Sequence, residues 1–358
     1  MRVLAPKEQQ ILLDKKDWRV LQQLVQNVRS PISHIARECL LSRQSVEYRI
    51  SLLRKNNLLI GSRAVVNIGK LRYHSYHVFL EIHTPKEEQE IITRAKKAPF
   101  VNAIVTYSGK YNVEISIMAK NQEEFFVYYQ QLIDNLRIRD DQLLILIDTL
   151  CAKVLPQKYF PELKSLHPKH YQSSHEKSRK VKGYSIDATD FQILLALSRD
   201  ATSSNIALAR KLEVSKDTVT YRIAKLEKNG YLLGYRPVVN YATLGLTINS
   251  LLIKINHTTS TTKKFESYIK NNGSVLWATK TVGYFNYLVY VITKDLEEFH
   301  SVINGMKTEF DDIIKTYEIL FAFEELKYNF MAESIVRSYS NSKLSKSSKE
   351  ISSKSLSN

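Results

Sequence analysis

The chain has 358 residues, 44% of them apolar and 25% charged, a composition that predicts a globular protein of roughly two or three domains. Its two isolated cysteines exclude a disulfide framework or zinc cluster, and its formal charge of +16 favours a polyanionic partner. Without a signal-peptide pattern or an apolar run of membrane length, we expect a cytoplasmic protein.

The sequence repeats itself. A shift of 173 positions aligns residues 13–67 with residues 186–240, and 21 of these 55 pairs are identical. Random pairing would give roughly three matches. After one inserted residue, a shift of 174 continues the alignment through residues 101–150. The sequence therefore predicts a duplicated two-part unit; copy one denotes residues 13–155 and copy two residues 186–328.

The first part of each copy predicts three short helices. In copy one, apolar residues recur at helical spacing over residues 20–28, and Ser42 is an N-cap residue that opens the third helix. Such a helix-turn-helix suits reading of the DNA major groove, although a three-helix bundle with a solvated face would give the same pattern. The candidate DNA-binding residues are Ser42, Arg43, Gln44, Ser45, Tyr48 and Arg49, and in copy two Ser215, Lys216, Asp217, Thr218, Tyr221 and Arg222.

The two helix-turn-helix domains differ in net charge and therefore in their expected DNA affinity. Residues 13–67 carry a net charge of +6 and residues 186–240 a net charge of +2, so we expect the first to contribute more affinity. Asp217 stands where copy one has Gln44, which predicts half-sites of different sequence. We interpret Arg49 and Arg222 as phosphate or structural contacts rather than base readers.

The second part of each copy alternates strands and helices in the order βαββαβ, a ferredoxin-like pattern. In copy one the predicted strands are residues 73–82, 101–107, 113–119 and 143–150. In copy two they are residues 247–256, 275–281, 287–292 and 313–321. The predicted fold class is α+β, a tandem repeat of a winged helix-turn-helix and a ferredoxin-like domain.

This combination resembles the Lrp/AsnC family of transcription regulators. Its motifs include Leu13-Asp14-x-x-Asp17, Ile35-Ala36, Ser42 and Arg49-Ile50, with Ile186-Asp187-x-x-Asp190, Leu208-Ala209, Ser215 and Arg222-Ile223 in copy two. Both copies also have the family's glycine turn, residues 109–112 and 283–286. The resemblance implies double-stranded DNA as partner, and pairing of the ferredoxin-like domains in an intramolecular pseudo-dimer or a homo-oligomer.

The resemblance also implies a small-molecule effector site at the glycine turns. Its candidate residues are Gly109, Asn112, Gly283 and Asn286. The family has an acid where this chain has the two asparagines, so we expect weak or absent binding of free amino acids. A purely structural role in tight strand turns is the alternative for the glycines.

Sirohaem decarboxylases share the tandem architecture and provide the alternative function. They need His and Arg residues over a tetrapyrrole, and Arg72, Tyr73, His74 and His77 cluster on the first predicted strand of copy one. This cluster is not repeated in copy two, and on an edge strand such residues are usually solvated. Without a Walker loop, an HExxH motif or a catalytic triad pattern, we predict no enzyme, no cofactor and no metal site.

The predicted domains follow from these patterns. Residues 156–185 form a basic linker and residues 331–358 a Ser/Lys-rich disordered tail. The helix-turn-helix domains are residues 1–67 and 186–240, and the ferredoxin-like effector and dimerisation domains are residues 68–155 and 241–330.

Overall fold

A computed structural model of the chain describes residues 2–3, 10–159, 184–256 and 259–339. Copy one contains helices α1 (Lys15–Gln26), α2 (Ile32–Cys39), α3 (Arg43–Lys55), α4 (Pro85–Lys97) and α5 (Gln122–Ile133). Its strands are β2 (Leu59–Val66), β3 (His74–Ile82), β4 (Val101–Ser108), β5 (Val113–Ala119) and β6 (Ile138–Ala152), and the short β1 (Arg2–Val3) precedes them.

Copy two repeats this order. Its helices are α6 (Ala188–Arg199), α7 (Asn205–Leu212), α8 (Lys216–Lys228), α9 (Thr259–Asn271) and α10 (Leu296–Phe310). Its strands are β7 (Leu232–Val239), β8 (Thr247–Ile255), β9 (Val275–Gly283), β10 (Tyr287–Thr293) and β11 (Ile314–Tyr328). The predicted fold class is confirmed. No helix in the described ranges is long and apolar enough to cross a membrane.

The two ferredoxin-like sheets pair with each other inside one chain. The sheet of copy one has the order β4-β5-β3-β6 and that of copy two the order β9-β10-β8-β11. β6 pairs antiparallel with β9, and β11 pairs antiparallel with β4. Within the described ranges these strands form a closed ring, so the edges of both sheets are paired. The two inner faces enclose a core that includes Leu144, Leu252, Leu288 and Leu320.

The closing strands are longer than the sequence predicts. β6 and β11 each span 15 residues, whereas the predicted strands cover residues 143–150 and 313–321. The additional residues at the C-terminal end of each strand pair with the other copy, as Cys151 does with Ala278 and Glu325 with Val105. Residues 138–142 of β6 pair instead with β3 of their own copy. Charged residues in these extensions hide the strand pattern, because the pairing partner lies far away in sequence.

The helix-turn-helix domains also pair within the chain. β2 and β7 form a two-stranded antiparallel sheet. The amide of Asn67 donates to the carbonyl of Tyr231 at 2.9 Å, and at the equivalent positions Asn240 donates to Leu58 at 2.8 Å. Helix α1 packs on β7 and α6 packs on β2, so each domain is held against the wing of the other. The two copies are thus related by an approximate twofold axis.

The tail prediction is wrong for residues 331–339. Residues 333–339 are helical, and Met331, Ile335 and Val336 are buried against the second helix-turn-helix domain. The ring of Tyr339 lies 4.5 Å from that of Phe191. The serines and lysines that dominate the composition lie mainly beyond this segment, so the regional average masks an apolar helix face. Residues 340–358 and the linker residues 160–183 lie outside the described residues. The linker residues include His167, His170 and His175.

Candidate nucleic-acid interface

Helices α3 and α8 begin at the predicted N-cap residues. The Ser42 hydroxyl accepts a hydrogen bond from the Ser45 amide at 3.1 Å, and the Ser215 hydroxyl accepts one from the Thr218 amide at 3.0 Å. These bonds satisfy one of the free amides at each helix start. The apolar side chains Val46, Ile50 and Leu53, and their equivalents Val219, Ile223 and Leu226, are buried. The opposite face of each helix therefore points away from the core.

The outward faces carry most of the candidate DNA-binding residues. Arg43, Gln44 and Tyr48 are exposed on α3; Lys216, Asp217 and Tyr221 are exposed at the aligned positions of α8. Exposure reaches 66% for Tyr48 and 60% for Tyr221, which is high for aromatic side chains on a helix. Ser45 and Thr218 are half-buried. Two protruding polar surfaces of similar shape but different charge result.

Arg49 and Arg222 have structural partners. The Arg49 guanidinium donates to the Asp14 carboxylate at 2.8 Å and to Asp17 at 2.6 Å. Arg222 donates in the same way to Asp187 at 2.8 Å and Asp190 at 3.0 Å. The aspartates form the N-terminal capping boxes of α1 and α6. Each arginine thus fastens a recognition helix to the first helix of its domain, which supports the structural interpretation of both.

The electrostatics of these clusters favour the charged forms. The Asp17 amide and the Arg49 guanidinium hold the pKa of Asp14 below its ordinary value. Burial alone would raise the pKa of Asp187, but the Asp190 amide and Arg222 lower it overall. The N-cap aspartates Asp14 and Asp187 are therefore ionised at neutral pH.

Arg29 connects the two helix-turn-helix domains, a role that the sequence did not predict. Arg29 of the first domain donates to the carbonyls of Ala201 and Ser203 at 2.7 and 3.0 Å, and to the Asn205 side chain at 2.8 Å. Asn205 in turn donates to Thr220 on α8 at 2.9 Å. The aligned residue in copy two is Thr202, so this contact occurs on one side only. This difference between the aligned residues is the signal by which the sequence could have indicated a role for Arg29.

A groove of about 460 Å³ lies beside α8. Its lining includes Asp187, Asp217, Tyr221 and Arg222. Asp187 is paired with Arg222 there, as Asp14 is with Arg49 in copy one, so Asp217 is the carboxylate that makes the start of α8 less attractive to phosphate than the start of α3.

The glycine turns lie where the two copies meet. Gly109 has φ +148° and Gly283 has φ +151°, in a region that favours glycine. A Cβ atom on Gly109 would lie 2.9 Å from the Ile319 carbonyl oxygen, and one on Gly283 would lie 2.4 Å from that of Leu143. Each turn thus presses its backbone against the long closing strand of the other copy.

The asparagines of these turns bond to their own sheets. The Asn112 side-chain oxygen accepts from the Ile82 amide at 2.8 Å, and that of Asn286 accepts from the Ile255 amide at 2.9 Å. Both amides thereby fix the end of the first strand of their sheet. An effector role for the four turn residues stays a prediction.

The edge-strand interpretation of the histidine cluster is wrong. β3 pairs antiparallel with β5 on one side and with β6 on the other, so it is not an edge strand. Arg72 and His74 are exposed, while Tyr73 and His77 are buried. His74 and His77 project from opposite faces of the strand, since side chains alternate. His77 faces the inside of the ring, where its Nδ1 lies 2.5 Å from the Glu114 carboxylate.

Comparison with known proteins gives consistent matches for both helix-turn-helix domains. Residues 13–54 match the AsnC-type helix-turn-helix domain, and residues 186–232 match a winged helix-turn-helix DNA-binding domain. The proline dehydrogenase transcriptional activator of Rhizobium radiobacter is 30% identical over 33% of this chain and 77% of its own length. Regulatory protein AsnC of Haemophilus influenzae is 25% identical over 39% of this chain and 93% of its own.

A solved structure matches the tandem arrangement. The siroheme decarboxylase NirDL superposes with a TM-score of 0.60 over 91% of this chain and 98% of its own, at 14% identity. At that identity the likeness shows the fold alone. The matches to the two sequence relatives span about the length of one copy, and their identity over most of the relatives' own length carries the assignment. The chain belongs to the Lrp/AsnC family of DNA-binding transcription regulators, in a form that carries the family's two-domain unit twice.

Proposed function

We propose that one chain is a sequence-specific regulator that reads a two-part DNA site with α3 and α8. The observation that carries this proposal is the pairing of both helix-turn-helix domains through β2 and β7, with both recognition helices facing outward. A pair of recognition helices held in fixed relation reads two half-sites at a fixed spacing. In most such proteins two chains supply the pair; here one chain supplies it.

The two half-sites should differ in sequence. Arg43 and Gln44 suit guanine and adenine, whereas Asp217 can accept from cytosine but repels phosphate. The net charge of +6 against +2 supports a larger contribution from the first domain. Asp217 in the groove beside α8 supports the same ranking.

For effector control we propose the two glycine turns, with a ligand that does not depend on a free amino group. Each turn contacts the closing strand of the other copy, so a ligand bound there would affect the pairing of the copies. The family acid is an amide in both turns, and that amide is already bonded to the backbone. Calorimetry against the twenty amino acids should give no tight binding; a tight binder among them would overturn this proposal.

A sirohaem-decarboxylase-like activity is the second candidate, supported by the fold likeness and by the buried His77. The bond between His77 and Glu114, and the exposure of Arg72 and His74, argue for the regulator. A tetrapyrrole absorbance band in the purified protein would favour the enzyme.

Selection of bound duplexes from random DNA tests the regulator directly. The expected result is a two-part consensus whose affinity falls steeply with salt, because phosphate contacts dominate affinity. Recovery of no sequence above the starting pool would reject sequence-specific reading.

A further inference from the structure

A hydrogen-bonded polar cluster lies inside the ring of strands. At its centre is Glu114 of β5, which is 2% exposed. Its carboxylate contacts His77 at 2.5 Å and accepts from Tyr107, both of copy one. The Tyr290 hydroxyl of copy two donates to the same carboxylate at 3.1 Å. A buried carboxylate of copy one therefore accepts one of its hydrogen bonds from a phenol of copy two.

The cluster is joined across the copies at a second point. Ser250 of copy two donates to the Tyr107 oxygen at 3.1 Å. Burial and the Glu114 carboxylate raise the pKa of both Tyr107 and Tyr290 well above the ordinary value. Both phenols thus keep the proton that they donate.

The repeat does not conserve this cluster. At the aligned shift of 174, Leu288 of copy two stands in the place of Glu114, and Ser116 of copy one stands in the place of Tyr290. Leu288 and Ser116 are both fully buried. The two inner faces are therefore unlike: one has an acid and a small hydroxyl, the other a leucine and a phenol.

This difference disfavours a pair of two copy-one faces and a pair of two copy-two faces. Under the approximate twofold axis, two copy-one faces would set each Glu114 opposite a serine too short to replace the phenol. Two copy-two faces would set each Tyr290 opposite a leucine that accepts no hydrogen bond. One unsatisfied polar group of this kind shifts a pairing equilibrium by about 5- to 100-fold.

We propose that Glu114 and Tyr290 select the pairing partner: the inner face of copy one accepts a copy-two face and rejects another copy-one face. The rule holds whether the partner comes from the same chain or from a second chain that exchanges halves. Every pair then holds one α3 and one α8. The proposal concerns pairing alone and does not depend on DNA binding.

The test uses four full-length chains: wild type, Y290F, E114L/Y290F and Y287F. Leucine is the residue that copy two has at the position of Glu114, so the double variant removes both the acid and the phenol by which the two faces differ. Y287F is the matched control, because Tyr287 donates to Glu266 within copy two alone. Each chain is co-expressed with two different tags, and capture on one tag measures association between chains. Urea unfolding gives the stability of each variant.

We expect little cross-capture for wild type and Y287F, and about fivefold more for Y290F. The double variant should be no more stable than Y290F, because Tyr107 and His77 then lose the acceptor that they share. Its cross-capture should stay at the level of Y290F, because the two faces no longer differ in the acid and the phenol. Cross-capture of Y290F at the level of Y287F, or of the double variant at the wild-type level, would overturn the proposal.

Discussion

Similar residues on the recognition helices have different roles. Arg43 is exposed at the start of α3, whereas Arg49, six residues on, is held by two aspartates of α1. The sequence predicts both as candidates because it shows residue type and helix face. It does not show that the capping aspartates of α1 come within reach of α3.

We expect the candidate DNA-binding residues of α3 to contribute more to DNA affinity than those of α8. Replacing Arg43 and Gln44 by Ala should weaken binding to the selected duplex more than replacing Lys216 and Thr218, at about 1–3 kcal/mol for each lost base contact. Gel-shift titrations at fixed salt measure both variants. A larger loss from the second pair would reject the ranking, and unchanged affinity in both would reject the recognition-helix assignment.

The capping aspartates should make stability depend on pH. The pKa of Asp14 and that of Asp187 are lowered in the folded chain, so the stability they contribute is present above the ordinary value of 3.8. It is lost as pH falls through the folded values, because the unfolded chain then binds more protons.

We therefore expect the urea midpoint of D14N/D187N to fall less than that of wild type between about pH 5 and pH 3. Asparagine keeps the capping oxygen and removes only the charge. E47Q, which changes an exposed glutamate of α3, serves as the control. Equal pH slopes for all three chains would contradict the assigned role.

At the scale of elements, the sequence predicts what local patterns can encode. The N-caps Ser42 and Ser215 and the buried stripes of α3 and α8 follow from spacing alone. The extensions of β6 and β11, and the helix at residues 333–339, depend on partners far away in the chain. His77 was misplaced for the same reason, since a single strand pattern does not show its neighbours on both sides.

The helix at residues 333–339 should stabilise the second helix-turn-helix domain. Ile335 is 1% exposed in that contact, so I335A should cost about 2–5 kcal/mol. R337A changes an exposed residue of the same helix and is the control. Hydrogen exchange should show faster exchange of α6 amides in I335A alone. Unchanged protection of α6 would show that the helix does not support the domain.

At the scale of the whole molecule, one chain contains both partners of a family pair. The two copies belong to one chain, so pairing within the chain has a high effective concentration. The ring of strands and the β2–β7 sheet are both complete in a single chain.

A single chain should therefore persist on dilution. Light scattering over a concentration series should reach the mass of one chain, because the described strands of the ring already pair with one another at both seams. Larger assemblies built on other surfaces would dissociate to this unit. A mass that is always an even number of chains, with no monomer at the lowest concentration, would show that the internal pair is not sufficient.

Scrambling each half-site of the selected duplex in turn tests directly whether α3 and α8 read separate half-sites. We expect that scrambling the half-site read by α3 removes the affinity difference between wild type and R43A/Q44A. Scrambling the other half-site should leave that difference intact and remove the effect of K216A/T218A. If either variant loses the same affinity whichever half-site is scrambled, α3 and α8 do not read separate half-sites, and the central claim is contradicted.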